Sequence, residues 1–294
     1  MSRSRSALAA CALVLFTVSC SSPGPDEPAV AEPSAKFSRE KIALGSPVDV
    51  TYRFTVAPGA RFAEDYHVMA HFLDGDEELM WTDDHLPPTP TSQWKPGEVV
   101  EYTRTVFIPL YQYIGDATFN VGLYSTKDQR RLPLSGEDSG QRSYKVASLE
   151  LLPQTENVFL VYKSGWHQKE MASEDSFVSW QWTRKVASVS FRNPKRDSTV
   201  YIHADNPGKA FSDAQRIDVV LNEQPVDGFD LPPGEEVVHR TQVTAAQLGS
   251  GDIVELQLHI DKTYVPALLP ASSSRDSREL GVRVFHMFVE PHGR

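Results

Sequence analysis

The feature that most limits the fold of this chain is a strict alternation of apolar and polar residues in short runs. Residues 48–56 alternate through their whole length, which puts every second side chain on one face, as a half-buried strand requires. Glycine, proline and aspartate interrupt the runs, for example at Pro58-Gly59 and Asp74–Asp76. The other candidate strands of the first half are 66–73, 78–82, 99–108, 117–124 and 144–152. Short strands at this spacing predict an all-β chain built from β-sandwiches.

The second half of the chain repeats this pattern without repeating the sequence. Its candidate strands are 158–163, 186–192, 199–204, 217–221, 236–243, 253–261 and 280–289. One short helix is predicted after Thr244 as N-cap, with Gly249 as its stop. About 258 residues follow residue 36, which suits two domains of ordinary size. We therefore predict two tandem β-sandwiches, an Ig-like one over 37–153 and a second, Ig-like or jelly-roll-like, over 154–294.

The N-terminus has the features of an export signal. Arg3 and Arg5 precede a short apolar run over 7–18, which is too short to span a membrane. Cys20 follows a small residue, and this arrangement resembles the cleavage motif of bacterial lipoproteins. The resemblance implies a signal peptide over 1–20 and a lipid on Cys20. Two alternatives remain: an ordinary secretory peptide cut near the same point, and a cut before Cys11 that leaves almost no apolar segment.

Composition limits the compartment and the partners. Residues 21–36 are rich in proline, alanine, serine and acid, so we expect a disordered tether there. The net charge of −10 repels nucleic acid and anionic lipid, so membrane attachment must come from the N-terminal lipid. Ser21, rather than aspartate, follows the cysteine, and the lipoprotein sorting rule then implies the outer membrane of a cell with two. We expect a lipid-anchored protein of the cell envelope that faces the periplasm or the exterior.

The usual catalytic signatures are absent from the sequence. It contains no nucleophile elbow, zinc-protease motif, phosphate-binding loop or dinucleotide turn, and Cys11 and Cys20 are its only cysteines. His67 and His71 would lie roughly 13 Å apart on a strand, too far to share a metal ion. We expect His71 to pair with Asp83 or Asp84 across adjacent strands instead. The prediction is a chain without enzyme activity, cofactor or metal.

Four segments of the first half carry a family resemblance: 66–85, 94–98, 121–124 and 131–134. In this order they resemble an Ig-like accessory domain that occurs at the C-termini of bacterial membrane glycosyltransferases and in envelope proteins. The resemblance implies a sandwich rather than an activity. The chain lacks the many spanning helices on which such transferases carry out catalysis, so their chemistry is not implied.

The second half carries another resemblance, in 165–167, Glu170, 180–183 and 276–282. These segments resemble a β-sandwich module that accompanies bacterial glycosyltransferases and polysaccharide-assembly proteins, for which sugar binding is often suggested. The resemblance implies an aromatic shelf with polar side chains that hydrogen-bond sugar hydroxyls. The residues of this candidate ligand site are Trp166, Trp180, Trp182, Arg275, Asp276 and Arg278. The alternative is structural: tryptophans in the core, and a pair formed by Asp276 and Arg278 that holds the last strand.

Two functions follow as expectations. The first is a non-catalytic, membrane-anchored lipoprotein that binds or positions a polymer of the cell surface, in the first place a polysaccharide. The second is a protein-interaction subunit of an export or envelope-assembly complex. Sheet edges can add a strand from a partner without special side chains, so this second function leaves little trace in a sequence.

Overall fold

The computed structural model describes residues 27–154, 158–173, 178–208, 210–270 and 273–293, and these residues form an all-β protein. Four sheets build two β-sandwiches, which confirms the predicted fold class. The short helix α1 (Ala245–Leu248) begins after Thr244 and ends at Gly249, as predicted, and a capping box closes its N-terminus. No helix within the described residues is long and apolar enough to cross a membrane.

The first sandwich packs a three-stranded sheet, in the order β1-β3-β6, on a six-stranded sheet, in the order β2-β9-β7-β4-β5 with β8 paired to β9. Its strands are β1 (Ala31–Phe37), β2 (Lys41–Ala43), β3 (Pro47–Val56), β4 (His67–Leu73), β5 (Leu79–Thr82), β6 (Val99–Phe107), β7 (Gly115–Tyr124), β8 (Glu137–Asp138) and β9 (Tyr144–Leu152). The alternation in β3 works as expected, because Val50, Tyr52 and Phe54 are completely buried in the core. Phe72 and Phe119 from the facing sheet pack there with ring centroids 4.5 Å apart.

The second sandwich packs a sheet in the order β10-β13-β18-β15-β16 on a sheet in the order β11-β12-β19-β14-β17. Its strands are β10 (Leu160–Tyr162), β11 (Glu170–Met171), β12 (Ser179–Trp182), β13 (Val186–Arg192), β14 (Ser198–Asp205), β15 (Gln215–Leu221), β16 (Gln224–Leu231), β17 (Glu236–Val243), β18 (Ile253–Ile260) and β19 (Arg283–Pro291). The core between the two sheets is aliphatic, with Ile202, Ile217 and Leu256 completely buried.

One prediction about the N-terminal segment is wrong. The composition predicts a tether up to residue 36, but the chain pairs with β3 from Ala31 onward. Small or apolar side chains at alternate positions, among them Ala31 and Phe37, fill the core of the first sandwich. Pro33 at an inward position and the polar residues Glu32, Ser34 and Lys36 at the outward positions hide this period of two in the sequence. The signal peptide and Cys20 lie outside the described residues.

The two sandwiches contact each other through the outer faces of two sheets. Phe107 at the end of β6 stacks on His286 of β19, with ring centroids 4.6 Å apart. Arg39 pairs with Glu290 at 2.6 Å, and Arg240 pairs with Asp49 in the same seam. An aromatic stack flanked by ion pairs therefore joins the second sandwich to the first.

Candidate functional site

Two predicted tryptophans, Trp180 and Trp182, lie on the outer face of the second sandwich. They alternate along β12 and flank Arg283 of β19, whose guanidinium carbon lies 5.0 Å and 5.9 Å from the centres of their rings. Val284 belongs to the core, so Arg283 points away from it. The arrangement is a cation–π contact with two indole rings.

Asp205 holds Arg283 in this position. Its Oδ1 accepts a hydrogen bond from Nε of Arg283 at 2.8 Å, and Oδ2 accepts a second one from Nη2. The Arg283 side chain is 25% exposed and that of Asp205 is 10% exposed. The hydrogen bonds to Asp205 raise the pKa of Arg283, and burial opposes them. Charge-assisted, forked pairing of this kind fixes both side chains in one geometry.

Further aromatic rings extend this surface. The guanidinium carbon of Arg283 lies 5.5 Å from the centre of the Phe285 ring, and Tyr264 packs edge-on against Trp182 with centroids 6.1 Å apart. Trp180 is half-buried, and its indole nitrogen has no hydrogen-bond partner within the described residues. We call Trp180, Trp182, Tyr264, Arg283 and Phe285 the aromatic face.

A polar group borders the aromatic face. Arg278 donates to both carboxylate oxygens of Asp276, at 2.7 to 3.1 Å, and to Glu170 at 2.6 Å. Glu170 pairs with Trp180 across strands β11 and β12, which places the group beside the indole ring. The hydrogen bonds from Arg278 lower the pKa of Asp276 to about 2, against the effect of burial. We call Glu170, Asp276 and Arg278 the polar fork, in which Asp276 and Arg278 are held in their charged forms at neutral pH.

The structure brings together four of the six predicted ligand residues and separates two. Trp180, Trp182, Asp276 and Arg278 meet at the aromatic face and the polar fork. Trp166 packs against the aliphatic core instead, and its indole nitrogen donates to the Ser188 carbonyl at 2.8 Å. Arg275 is exposed in the loop before the fork. The expectation of one shelf of three tryptophans is therefore wrong, because Trp166 is half-buried against the other sheet and Trp182 is buried, with 8% of its surface exposed.

Much of the second sequence signature is structural. Thr183 is completely buried, its main chain exchanges hydrogen bonds with 281–282, and its hydroxyl accepts from the Val282 amide at 3.0 Å. The same segment bonds to 165–167 on its other side. A Cβ at Gly281 would come 2.4 Å from the Thr183 hydroxyl, and one at Gly165 would come 1.8 Å from a main-chain carbonyl oxygen. These glycines let three segments of the chain meet.

Four residues of the site were not predicted from the sequence: Asp205, Tyr264, Arg283 and Phe285. Arg283 and Phe285 alternate with the core residue Val284, so the period of two could have shown that they face outward. Asp205 is 78 residues from Arg283, and no local pattern marks it.

The histidine prediction for the first sandwich is borne out in part. Nε2 of His71 lies 3.7 Å from Oδ1 of Asp84, so the two side chains are neighbours across the sheet but too far apart for a hydrogen bond. Asp83 instead binds Arg104 at 3.1 Å and the Tyr52 hydroxyl at 3.2 Å. Over the residues that the structure covers, no three His, Cys, Asp or Glu side chains are placed to hold a metal ion.

Comparison with known proteins yields structural likenesses alone. No family model and no curated protein matches the chain. Similar solved structures include the CBM36-1 domain of a multidomain xylanase from the hindgut metagenome of Trinervitermes trinervoides (7% identity, 47% of this chain, 100% of that chain, TM-score 0.30). A carbohydrate-binding module CBM36 in complex with calcium and xylotriose is similar at 15% identity (45% and 98% of the two chains, TM-score 0.27).

A tandem structure is also similar over most of the chain. The N-terminal CBM22-1–CBM22-2 tandem domain of Xyn10C from Paenibacillus barcinonensis matches at 9% identity, covering 85% of this chain and 80% of that chain, with a TM-score of 0.31. Identities and TM-scores this low assign no function. The proposals below therefore rest on the residues of this chain.

Proposed function

We propose that this chain is a non-catalytic carbohydrate-binding protein, held at the cell envelope by a lipid on Cys20. The observation that carries the proposal is the aromatic face, where two indole rings and a phenyl ring surround a guanidinium held by Asp205. The half-buried rings of Trp180 and Phe285 offer flat apolar surface on which the C–H groups of a sugar ring pack, whereas Trp182 is only 8% exposed and packs against Arg283.

The polar fork supplies the complementary chemistry. Guanidinium and carboxylate groups with a fixed orientation donate to and accept from the paired hydroxyls of a sugar. Glu170, Asp276 and Arg278 already bind one another, so they keep this orientation without a ligand. The aromatic face and the fork together contain two guanidiniums and, with Asp205, three carboxylates. This near balance of charge favours a neutral polysaccharide.

The charge state of the carboxylates supports binding rather than hydrolysis. A glycosidase needs one carboxylic acid whose pKa is raised, so that it can protonate the leaving group. Asp276 has a lowered pKa, and so does Glu236, which accepts a hydrogen bond from His203. In the part of the chain that the structure describes, every carboxyl group with a displaced pKa is displaced downward. Such groups cannot act as the acid at neutral pH.

Affinity electrophoresis of the full chain in gels that contain xylan, hydroxyethylcellulose, starch or arabinogalactan tests the binding function. We expect at least one neutral polymer to retard the protein, and Trp180→Ala to weaken that retardation about tenfold, or roughly 1.4 kcal/mol. Tyr162→Ala is the matched control, because this partly exposed aromatic residue lies on the other sheet. Equal retardation of the Trp180 variant, or no retardation by any polymer, would refute the assignment.

The anchor needs its own experiment. In bacteria that express the full chain, the wild-type protein should incorporate labelled palmitate and sediment with membranes, whereas Cys20→Ser should do neither. A wild-type protein that takes up no label and stays in the soluble fraction would contradict the anchor and leave the aromatic face unaffected.

A second candidate function, strand addition from a protein partner, has one observation in its favour. Strand β10 lies at the edge of its sheet and carries Val161 with 52% of its surface exposed, beside Phe159 with 65% exposed. Apolar side chains on an unpaired edge are where a partner strand adds. Crosslinking in intact cells that captures one defined protein through position 161, with no polysaccharide retained in the gels, would favour this function over the first.

A further inference from the structure

A concave surface lies on the first sandwich, on the outer face of the sheet that contains β4 and β7. The cavity has a volume of about 540 Å³, inside the range of roughly 300–1,000 Å³ typical of small-ligand sites. Met69 lines it, and Gly122 is the neighbour of Met69 in β7. A Cβ at Gly122 would come 3.0 Å from the Met69 methyl group, so a larger residue there would crowd this part of the sheet.

Three guanidinium groups meet at this cavity. Arg130, Arg131 and Arg142 line it together with the carboxylate of Asp84, and Glu27 adds a second carboxylate on Arg130 and Arg142. The whole chain carries a net charge of −10, so a local excess of positive charge runs against its composition. Electrostatic attraction concentrated in a cleft raises the local concentration of anions. We call this surface the arginine cavity.

The backbone at the rim of the arginine cavity is held in an unusual conformation. Gln129, Gln141 and Arg142 have φ values of 61°, 54° and 58°, in the left-handed region that residues other than glycine rarely adopt. All three line the cavity. Strained backbone of this kind persists where the surrounding structure imposes it, and it concentrates at ligand sites.

A carboxylate of the chain itself shows what two of these arginines bind. Oε1 of Glu27 accepts from Nη2 of Arg130 at 2.5 Å, and Oε2 accepts from Nη2 of Arg142 at 2.9 Å. These hydrogen bonds lower the pKa of Glu27. One planar carboxylate therefore bridges two guanidiniums. Glu27 lies in the segment just before β1, and its side chain is partly exposed to solvent.

The remaining lining groups suit hydroxyls. Two glutamine amides can donate and accept, the Tyr124 hydroxyl donates to Asp84 and can still accept, and Asp84 has further lone pairs that accept. Burial lowers the pKa of His71, and the charge of Arg131 adds to this while Asp84 opposes it. His71 is therefore neutral near pH 7, with one donor and one acceptor nitrogen. The Asp84 carboxylate disfavours a phosphate dianion but can accept hydrogen bonds from hydroxyls.

We propose that the arginine cavity binds an acidic sugar, whose carboxylate or sulfate group takes the place of Glu27 on Arg130 and Arg142. The ring hydroxyls then bind the glutamine amides, Tyr124 and Asp84. Glu27 acts as an internal competitor, because the two guanidiniums cannot serve both anions at once. This site is separate from the aromatic face of the other sandwich, so neither proposal depends on the other.

Calorimetric titration of the full chain with trigalacturonate, a sulfated trisaccharide and neutral galactotriose tests the proposal. We expect the wild type to bind at least one acidic sugar and not the neutral one. Arg142→Gln and the more exposed Arg130→Gln should each weaken binding about tenfold, roughly the 1.4 kcal/mol of one charged contact. Glu27→Gln should tighten binding about three- to tenfold, because the site is no longer partly occupied. The two acidic probes decide between carboxylate and sulfate.

Two control variants distinguish binding at the arginine cavity from a general effect of charge and from binding at the aromatic face. Arg53→Gln removes a positive charge on the other sheet of the first sandwich, where Arg53 pairs with Glu101, and should leave the affinity unchanged. Trp180→Ala should also leave the affinity for acidic sugars unchanged, so that a failure of this proposal and a failure of the proposal for the aromatic face give different results.

The proposal is overturned if Glu27→Gln fails to tighten binding or if the neutral sugar binds equally well. Binding of a polyglutamate peptide or of anionic phosphatidylglycerol vesicles as tightly as the acidic sugars overturns it as well.

Discussion

Replacing Asp205 by asparagine should destabilise the second sandwich and disorganise its aromatic face. Asp205 makes two charge-assisted hydrogen bonds to Arg283, and the two side chains are only 10% and 25% exposed. Removal of one partner from a fully buried pair costs about 3–5 kcal/mol. Residual exposure and the remaining amide oxygen reduce this, so we expect a loss of about 2 kcal/mol in the free energy of unfolding.

Urea denaturation followed by tryptophan fluorescence measures this loss. The midpoint should fall without a change in slope, and the melting temperature should drop by about 4–8 °C, at roughly 2–4 °C per kcal/mol. The double variant with Arg283→Met should be more stable than the sum of the single losses predicts, because it leaves no unpaired charge. Asp218→Asn is the control, since its pair with Arg216 is on the exposed surface.

A loss below about 0.5 kcal/mol for Asp205→Asn, within the usual range of surface substitutions, would refute this reasoning. Strictly additive losses in the double variant would refute it as well. Either result would mean that Arg283 is held by its aromatic neighbours alone.

Two further predictions concern backbone fit and protonation. Gly165→Ala should cost at least about 3 kcal/mol in thermal denaturation, because its Cβ would overlap a carbonyl oxygen at 1.8 Å. Gly234→Ala, at a similar φ but with no atom within 4 Å, should cost about 1 kcal/mol, and equal losses would contradict this account. Burial, then the charge of His203, lowers the pKa of His286 to about 3. Below pH 6.5, His286 is protonated in the unfolded chain but stays neutral in the folded chain. The free energy of unfolding therefore falls toward pH 3 by about 1.4 kcal/mol per pH unit. His286→Asn should remove that part of the slope, and an unchanged slope would contradict it.

The strand pattern was predictable because each core strand must place every second side chain inside. Strand β9 begins at Tyr144 and ends at Leu152, as predicted, and β17 covers the predicted 236–243. The helix after Thr244 was predictable for a local reason, since its cap bonds to residues three positions away. Strand β1 was not predictable, because its inward residues before Phe37 are alanine and proline and its outward residues are those of a tether.

The site was predictable in its residue types but not in its geometry. Trp166 and Trp182 belong to the same sequence signature, but one packs against the aliphatic core and the other against Arg283. The direction of Trp182 depends on its pairing with Arg283, a residue more than a hundred positions away, whereas Trp166 bridges to Thr183. The contact between Arg283 and Asp205 is long-range in the same way. The arginine cavity was not predictable from the sequence either, because its three arginines come from two loops and its competitor Glu27 comes from a third segment.

The central claim is that a glycan binds on the aromatic face. The NMR signals of the tryptophan indole N–H groups test this claim most directly. The chain has five tryptophans, and each gives one ¹H–¹⁵N indole signal that a single Trp→Phe variant assigns. On addition of the polysaccharide fragment that retards the protein, we predict that the Trp180 signal shifts most and those of Trp81 and Trp94 in the first sandwich stay in place. An unchanged Trp180 signal, with shifts confined to the first sandwich, would contradict the claim.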